Sequence, residues 1–279
     1  GMSSVLSAQI DTAQVKEIQE VSFTKRLPVS KEIINVQKDL GAKNLGQDLP
    51  ILLKNQMSVV ATSDAGNGVG YTGFRIRGSA GTSINVMLNG VPYNDSESQG
   101  TFFVNIPDMA SSASQIVIQR GVGTSSNGTA SFGASVNILT KNPEEKPYFL
   151  TNQSAGSFNT MKTSFEAGSG KFLNNLLSVS ARYSTINSDG YIDRAFSKLN
   201  SYSINALFEK GNTKIRFLTF GGKEKTYQAW NGIDRQTWET NPRLNYSGQY
   251  TDLFTGEEKF YDNETDNYRQ NHYQFLWEQ

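Results

Sequence analysis

Four short apolar alternations between Gly73 and Thr140, punctuated by turn glycines, constrain this fold more than any other feature of the chain. They run from Gly73 to Gly78 (GFRIRG), Asn85 to Pro92 (NVMLNGVP), Gln115 to Gly121 (QIVIQRG) and Phe132 to Ile138 (FGASVNI). Alternation with period two argues for strands, and Asn89-Gly90 is a strong hairpin signal because both residues tolerate positive φ. The spacing predicts strands near 74–77, 84–88, 115–119 and 135–139, built into one small mixed sheet. Ile33–Val36 and Ser58–Thr62 read as two further short strands. Leu45–Asn55 reads as a helix with Asn44 as its N-cap, Pro50 in its first turn and its leucines on one face. Pro107–Ser112 reads as a helical turn. The glycines at 66, 68, 70 and 73 mark a loop.

From Tyr148 the pattern changes. One strand is read near Phe149–Ser157. Met161, Thr163, Phe165 and Ala167 then alternate with polar residues, as do Leu177 to Tyr183, Tyr202 to Phe208 with Leu207 as the exception, Ile215 to Thr219, and Tyr273 to Trp277. A soluble sandwich would bury these apolar faces in a core, whereas a membrane barrel turns them to lipid and keeps the polar faces in a wet lumen. The connections separate the two cases. Gly168–Asn174 and Lys210–Thr213 are short, while about 187–200 and 222–264 are long. Such alternation is the pattern of short periplasmic turns and long extracellular loops.

Composition narrows the function classes. Lys plus Arg (26) equals Asp plus Glu (26), which gives no reason to expect nucleic acid as a partner. There is no apolar run of about 18 residues for a membrane helix, which leaves a β-barrel open. Cysteine is absent and His272 is the single histidine. Neither a zinc cluster nor a Ser-His-Asp triad can be assembled, and the glycine-rich stretch from Gly121 to Gly128 lacks a P-loop lysine. Nothing calls for an enzyme, a metal site or a cofactor.

In this order and spacing, the segments from 45 to 140 resemble the plug domain of TonB-dependent outer-membrane receptors, and the later alternations resemble the first strands of their barrel. The resemblance implies an α+β plug followed by an incomplete antiparallel transmembrane β-barrel segment, about six strands of a barrel of about 22. The corresponding division is 1–30 for a signal remnant and TonB-box linker, 31–147 for the plug, and 148–279 for the barrel segment. Six strands have too little circumference to close around a plug, so an open sheet is expected.

The resemblance further implies a receptor that binds a scarce extracellular ligand, of ferric-siderophore or ferric-citrate type, and admits it with energy from TonB. Its partners are then a TonB-type periplasmic protein, outer-membrane lipid and a small metal chelate, and its place is the outer membrane. Gly1-Met2 reads as a tag scar and Ser3–Ala8 as the end of a secretory signal, with a plain tail as the alternative. Val15, Ile18, Glu20, Val21, Ser22, Phe23 and Thr24 form the expected TonB box, an extended segment suited to adding to a partner's sheet edge. Asn94, Asp95, Glu97, Gln99, Phe102 and Phe103 of the apical loop, with Trp230 and Trp238 of the long outer loop, are the expected ligand contacts. Arg77 and Arg120 are expected to pair with glutamates on the inner barrel wall, in strands beyond this segment. Two other classes stay open at this point: a soluble all-β ligand- or carbohydrate-binding module, and an outer-membrane adhesive or structural protein without transport.

Overall fold

The computed structural model describes residues 30–121 and 133–279. The expected signal remnant and TonB box, and most of the glycine-rich stretch after Gly121, lie outside those residues.

The first region is built on a five-stranded sheet of β1 (Ser30–Asn35), β4 (Ile84–Leu88), β5 (Val91–Pro92), β6 (Ala113–Arg120) and β7 (Ala134–Thr140). Its order is β1-β6-β7-β4-β5. Only the β4/β7 pair is parallel. β4 is buried along its whole length, as a strand covered on both faces must be. Ile84, Val86, Leu88, Ile116, Ile118, Val136 and Ile138 are all within 1% of full burial and form the heart of the core. Burying each such side chain contributes roughly 1.5–3 kcal/mol. Asn89 (φ 53°) and Gly90 (φ 80°) make the expected primed turn between β4 and β5.

Two expectations fail here. The segment at 74–77 does not join this sheet. β3 (Thr72–Ile76) pairs instead with β2 (Val59–Ser63) in a separate two-stranded ribbon. Arg77 leaves the strand with φ 51°, so the chain turns away before it can reach β4. The helix expected over 45–55 shrinks to α1 (Leu49–Leu52), preceded by Asp48. Gly46 at φ 119° interrupts any earlier turn, and Leu45 is left half exposed. The helical turn near Pro107 is present as α2 (Met109–Ser112).

The second region is an open sheet of six antiparallel strands: β8 (Pro147–Gly156), β9 (Thr160–Phe172), β10 (Leu177–Ser188), β11 (Ser197–Lys210), β12 (Thr213–Tyr227) and β15 (Thr265–Glu278). Their order is β15-β12-β11-β10-β9-β8, with β8 and β15 as edges. The strands match the sequence reading, but the loop expected from 222 does not. β12 runs on to Tyr227, and 228–264 contains α3 (Arg235–Thr240) and a hairpin of β13 (Gln249–Thr251) and β14 (Glu258–Phe260).

The sheet wraps the first region with its polar face. Phe165, Tyr183, Ile204, Phe217, Tyr273, Phe275 and Trp277 point outward and are exposed. Lys162, Arg182, Ser184, Ser201, Ser203, Asn205 and Glu224 are buried beneath, against the plug-like unit. Leu218 and Phe220 break the rule by joining the apolar core of the first region. Gly222 on β12 permits a close approach: a Cβ there would stand 2.4 Å from the Asn105 carbonyl.

Candidate functional site

The two regions meet at a buried carboxylate. Asp108 sits at φ 54°, a left-handed conformation that aspartate tolerates better than most residues, just before α2. Its Oδ1 accepts from Lys162 Nζ of β9 at 2.6 Å and from Ser111 Oγ at 2.5 Å. Its Oδ2 accepts from Arg182 Nη1 of β10 at 3.2 Å and from Ser184 Oγ at 2.5 Å. Asn44 completes the cluster, accepting from Lys162 at 3.2 Å and donating to Ser111 Oγ at 3.0 Å. This is what Asn44 does instead of capping a helix. The Asp108 carboxylate has no exposed surface, and burial alone would raise its pKa. The adjacent Arg182 and Lys162 charges outweigh burial and hold it below the ordinary carboxylate range.

Polar contacts continue along the seam. Arg216 donates to Asn205 Oδ1 at 2.9 Å and to Thr140 Oγ1 and the Lys141 carbonyl at 2.6 Å each. Gln274 of β15 accepts from Asn89 Nδ2 and donates to the Leu88 carbonyl. At the long-loop end, the Tyr71 hydroxyl donates to Asp266, and the Tyr93 hydroxyl donates to Gln270 at 3.1 Å. His272 lies between the rings of Phe220 and Tyr93, at 4.8 and 5.1 Å.

A cleft of about 300 Å³ opens at that end, between the loop at 93–105 and the start of β15. Tyr71, Tyr93, Phe102 and Tyr268 supply its aromatic wall, and Asp95, Glu97 and Asp266 its charge. No lysine or arginine lines it among the described residues. Burial first, then the bond to Asp266, pushes the Tyr71 hydroxyl pKa upward, so Tyr71 remains a donor. Asp95 is fixed by the Ser98 and Glu97 amides at 2.7 and 3.0 Å, and those bonds, Ser98 first, lower its carboxyl pKa. Among the described residues no group of three or more histidine, cysteine or carboxylate side chains is placed to hold a metal ion.

Of the expected ligand contacts, Asp95, Glu97 and Phe102 line this cleft. Asn94 instead buttresses the loop, accepting from the Val86 amide and donating to the Ile84 and Gln99 carbonyls. Gln99 shapes the turn at φ 59°. Phe103 is a core residue, 4% exposed and packed on Phe74. Trp230 and Trp238 are exposed on the 228–264 connection and do not line the cleft.

Neither of the expected clamp arginines meets a glutamate of the six described wall strands. Arg120 is buried but pairs with Glu32 of neighbouring β1 and donates to the Met57 carbonyl at 3.0 Å, all within the first region. Arg77 is exposed. The buried ion pairs that bridge the regions put the acid on the plug-like unit and the cations on the wall, while the more exposed Lys141 of the first region meets Glu166 of β9 at 3.7 Å. Lys162 and Arg182 were legible only as lone cations on the polar face of their strands. Tyr71, Tyr93, Asp266 and Tyr268 of the cleft carried no sequence signal.

The comparisons agree with this architecture. Residues 25–135 match the family model described as the TonB-dependent Receptor Plug Domain. No curated protein sequence matches the chain. Among solved structures, Pseudomonas aeruginosa FpvA bound to a heterologous pyoverdine superposes with a TM-score of 0.63 at 12% identity, covering 89% of this chain and 31% of that one. The unliganded ferric citrate transporter FecA gives 0.63 at 15% identity, over 77% and 34%. The ferric yersiniabactin uptake receptor FyuA of Yersinia pestis gives 0.59 at 15%, over 80% and 35%. The chain thus spans about a third of the length of these structures.

Proposed function

We propose that this chain, whose residues 25–135 match the TonB-dependent receptor plug domain and whose six antiparallel strands resemble the start of such a receptor's barrel, binds a small extracellular metal chelate and admits it past the plug, energised by a TonB-type partner. One observation carries the reading. The plug is gripped by the polar inner face of the wall at Asp108, Lys162 and Arg182, and a cleft opens between plug and wall at the long-loop end. A removable plug below an outward-facing cleft is the arrangement that gated uptake requires. The resemblance to receptors whose names speak of ferric citrate, yersiniabactin and pyoverdine supports a chelate as the ligand.

Among the described residues, the cleft offers four aromatic rings and three carboxylates and no basic side chain. Like charges repel strongly where solvent is partly excluded. The lining therefore favours a neutral or cationic chelate over a highly anionic one. Titrating the purified receptor with ferric chelates of graded charge, followed by tyrosine fluorescence quenching, tests this. A neutral or cationic chelate should bind best, and Asp266→Asn should weaken it about tenfold, the scale of one charge-assisted contact. Tightest binding by a trianionic chelate would reject that ligand class.

Residues 15–24 are proposed as the handle for the periplasmic partner. Strand addition depends on backbone N–H groups, so proline damages it more than a side-chain change does. Val21→Pro should abolish energised uptake with outer-face binding intact, while Val21→Ala does much less. Uptake by Val21→Pro at the wild-type rate would remove the handle from this segment. Loss of binding as well as uptake would make the segment a structural strand.

A further inference from the structure

The inner end of the cleft holds acceptor atoms that no group among the described residues satisfies. The register of β12 and β15 fixes which side chains meet there. Gly222 stands opposite Gln270, Glu224 opposite Tyr268, and Thr226 opposite Asp266. Asp266, Tyr268 and Gln270 line the cleft, so Glu224 and Thr226 occupy the same inward rows on the neighbouring strand. Leu199 and Ser197 of β11 continue those rows and are buried. From the first region comes Asn105, whose carbonyl abuts Gly222, one inward position from Glu224.

Glu224 is fully buried, and neither Oε1 nor Oε2 has a hydrogen-bond partner among the described residues. The Thr226 hydroxyl stands close to it but outside hydrogen-bond geometry. No ion pair reaches Glu224 or Asp266 among the described residues. The adjacent Lys223 and Lys225 alternate to the opposite face of the strand and are exposed. Asn105 lines the cleft, and its Oδ1 is also buried without a partner. An ionised carboxylate in such a place is strongly unfavourable unless a cation or a donor meets it.

These atoms select their guest. Glu224 and Asp266 together repel an anion. A metal ion is poorly served, since no three histidine, cysteine or carboxylate groups among the described residues are placed to hold one. A primary ammonium group fits: it carries three donors and no acceptor, and aromatic rings beside it add attraction. Tyr71 and Tyr268 supply such rings. The cleft, at about 300 Å³, lies at the small end of the range for ligand sites, with room for one arm of a ligand rather than a whole chelate. We propose that Glu224, Asp266 and Asn105 form a subsite that takes a protonated primary amine carried on an arm of the chelate. The proposal rests on reading the cleft as a chelate site, and it adds the chemical group by which the chelate is chosen.

The test titrates the purified receptor in detergent with n-pentylammonium chloride and with n-pentanol, two probes of similar size, and reads both dissociation constants by saturation-transfer NMR. Pentylammonium should bind about tenfold or more tightly than pentanol, the scale of a hydrogen bond to a charged group. Glu224→Gln keeps the side chain's size and removes its charge, and it should cut that ratio about tenfold. Asn105→Ala should cut it about threefold, the scale of a neutral hydrogen bond, and it decides the matter if thermal melting shows Glu224→Gln misfolded. Equal binding of the two probes by wild type overturns the subsite. An unchanged ratio in Glu224→Gln, expected if Glu224 simply carries a proton, also overturns it. So does a parallel fall for both probes, which a merely structural role would give. Ferric trihydroxamates with a free alkylammonium arm or with that arm N-acetylated separate this proposal from the one it rests on. Binding of both forms alike overturns the subsite and leaves the chelate reading intact. Binding of pentylammonium but of neither chelate supports the ammonium site and removes the chelate reading.

Discussion

The plug sheet and the wall sheet solve the same problem in opposite ways. The plug hides a dry core of Ile84, Ile116, Ile118, Val136 and Ile138, and β4 shows water no side chain at all. The wall turns most of its apolar residues outward, with Ile186, Leu199, Leu218 and Phe220 packed inward as exceptions, and buries polar ones, including Lys162 at 1% and Glu224 at 0% exposure. A strand in a soluble domain follows the hydrophobic effect inward, while a strand facing lipid follows it outward and leaves its polar face for the partner inside. The plug is therefore stable through packing, and its seat in the wall adds hydrogen bonds and charge to two small apolar contacts.

The contrast can be broken most directly at Asp108. Asp108→Asn keeps the left-handed backbone but strands Lys162 and Arg182 as unpaired buried cations. Removing one partner of such a cluster costs about 3–5 kcal/mol. Thermal unfolding in detergent should show the loss, and Lys162→Met in the same background should recover part of it. An unchanged melting curve would mean that the seam is not held by charge.

The outward face is tested at Ile204. Ile204→Arg places a cation in the apolar rows and should cost about 2–4 kcal/mol in a bilayer. Equal stability of the variant, measured by unfolding from liposomes, would argue for a face that meets water.

Asp48 is the plug's own exception, buried at 3% exposure beside Thr72. Burial raises its carboxyl to about 8, with Thr72 opposing and the Asp108 charge adding a smaller push upward. The folded plug thus binds a proton that the unfolded chain releases near the ordinary carboxylate value. The contribution is complete at acid pH and falls by up to about 1.4 kcal/mol per pH unit between about 4 and 8. Asp48→Asn should flatten that slope in denaturant titrations run at several pH values. A slope that persists in the variant would place its origin elsewhere.

The smallest effect is expected at Tyr202, whose hydroxyl reaches Asn271 at 3.0 Å on the exposed face. Tyr202→Phe should change stability by about 0.5–1.5 kcal/mol, the net value of one hydrogen bond. A larger loss would show that this side is less solvated than its exposure indicates.

What could be read in advance followed from local periodicity. The β6, β7 and β4 alternations, the Asn89-Gly90 turn and all six wall strands lie in the chain as period-two patterns and turn residues. These are short-range preferences, set by the steric limits of φ and ψ and by which face a side chain must hide. The division into plug and wall was visible for the same reason, because the style of alternation changes near Tyr148.

The site was less legible. Three of the eight expected ligand contacts, Asp95, Glu97 and Phe102, line the cleft, while Tyr71, Tyr93, Asp266 and Tyr268 went unmarked. Phe102 and Phe103 are adjacent and chemically identical, yet one lines the cleft and the other fills the core. Arg120 had the sequence context of a clamp, but β1 alongside it, two residues on from its register partner Ser30, offered Glu32.

The sequence by itself determined which segments are strands, where they turn, and that the later ones have one apolar and one polar face. Only the tertiary structure decided that the polar face closes on the plug, that β3 leaves the main sheet, and that Asp108 meets Lys162 and Arg182. Those contacts join residues tens of positions apart, so no local preference encodes them. They exist because a buried charge must find its opposite wherever the fold brings one within reach.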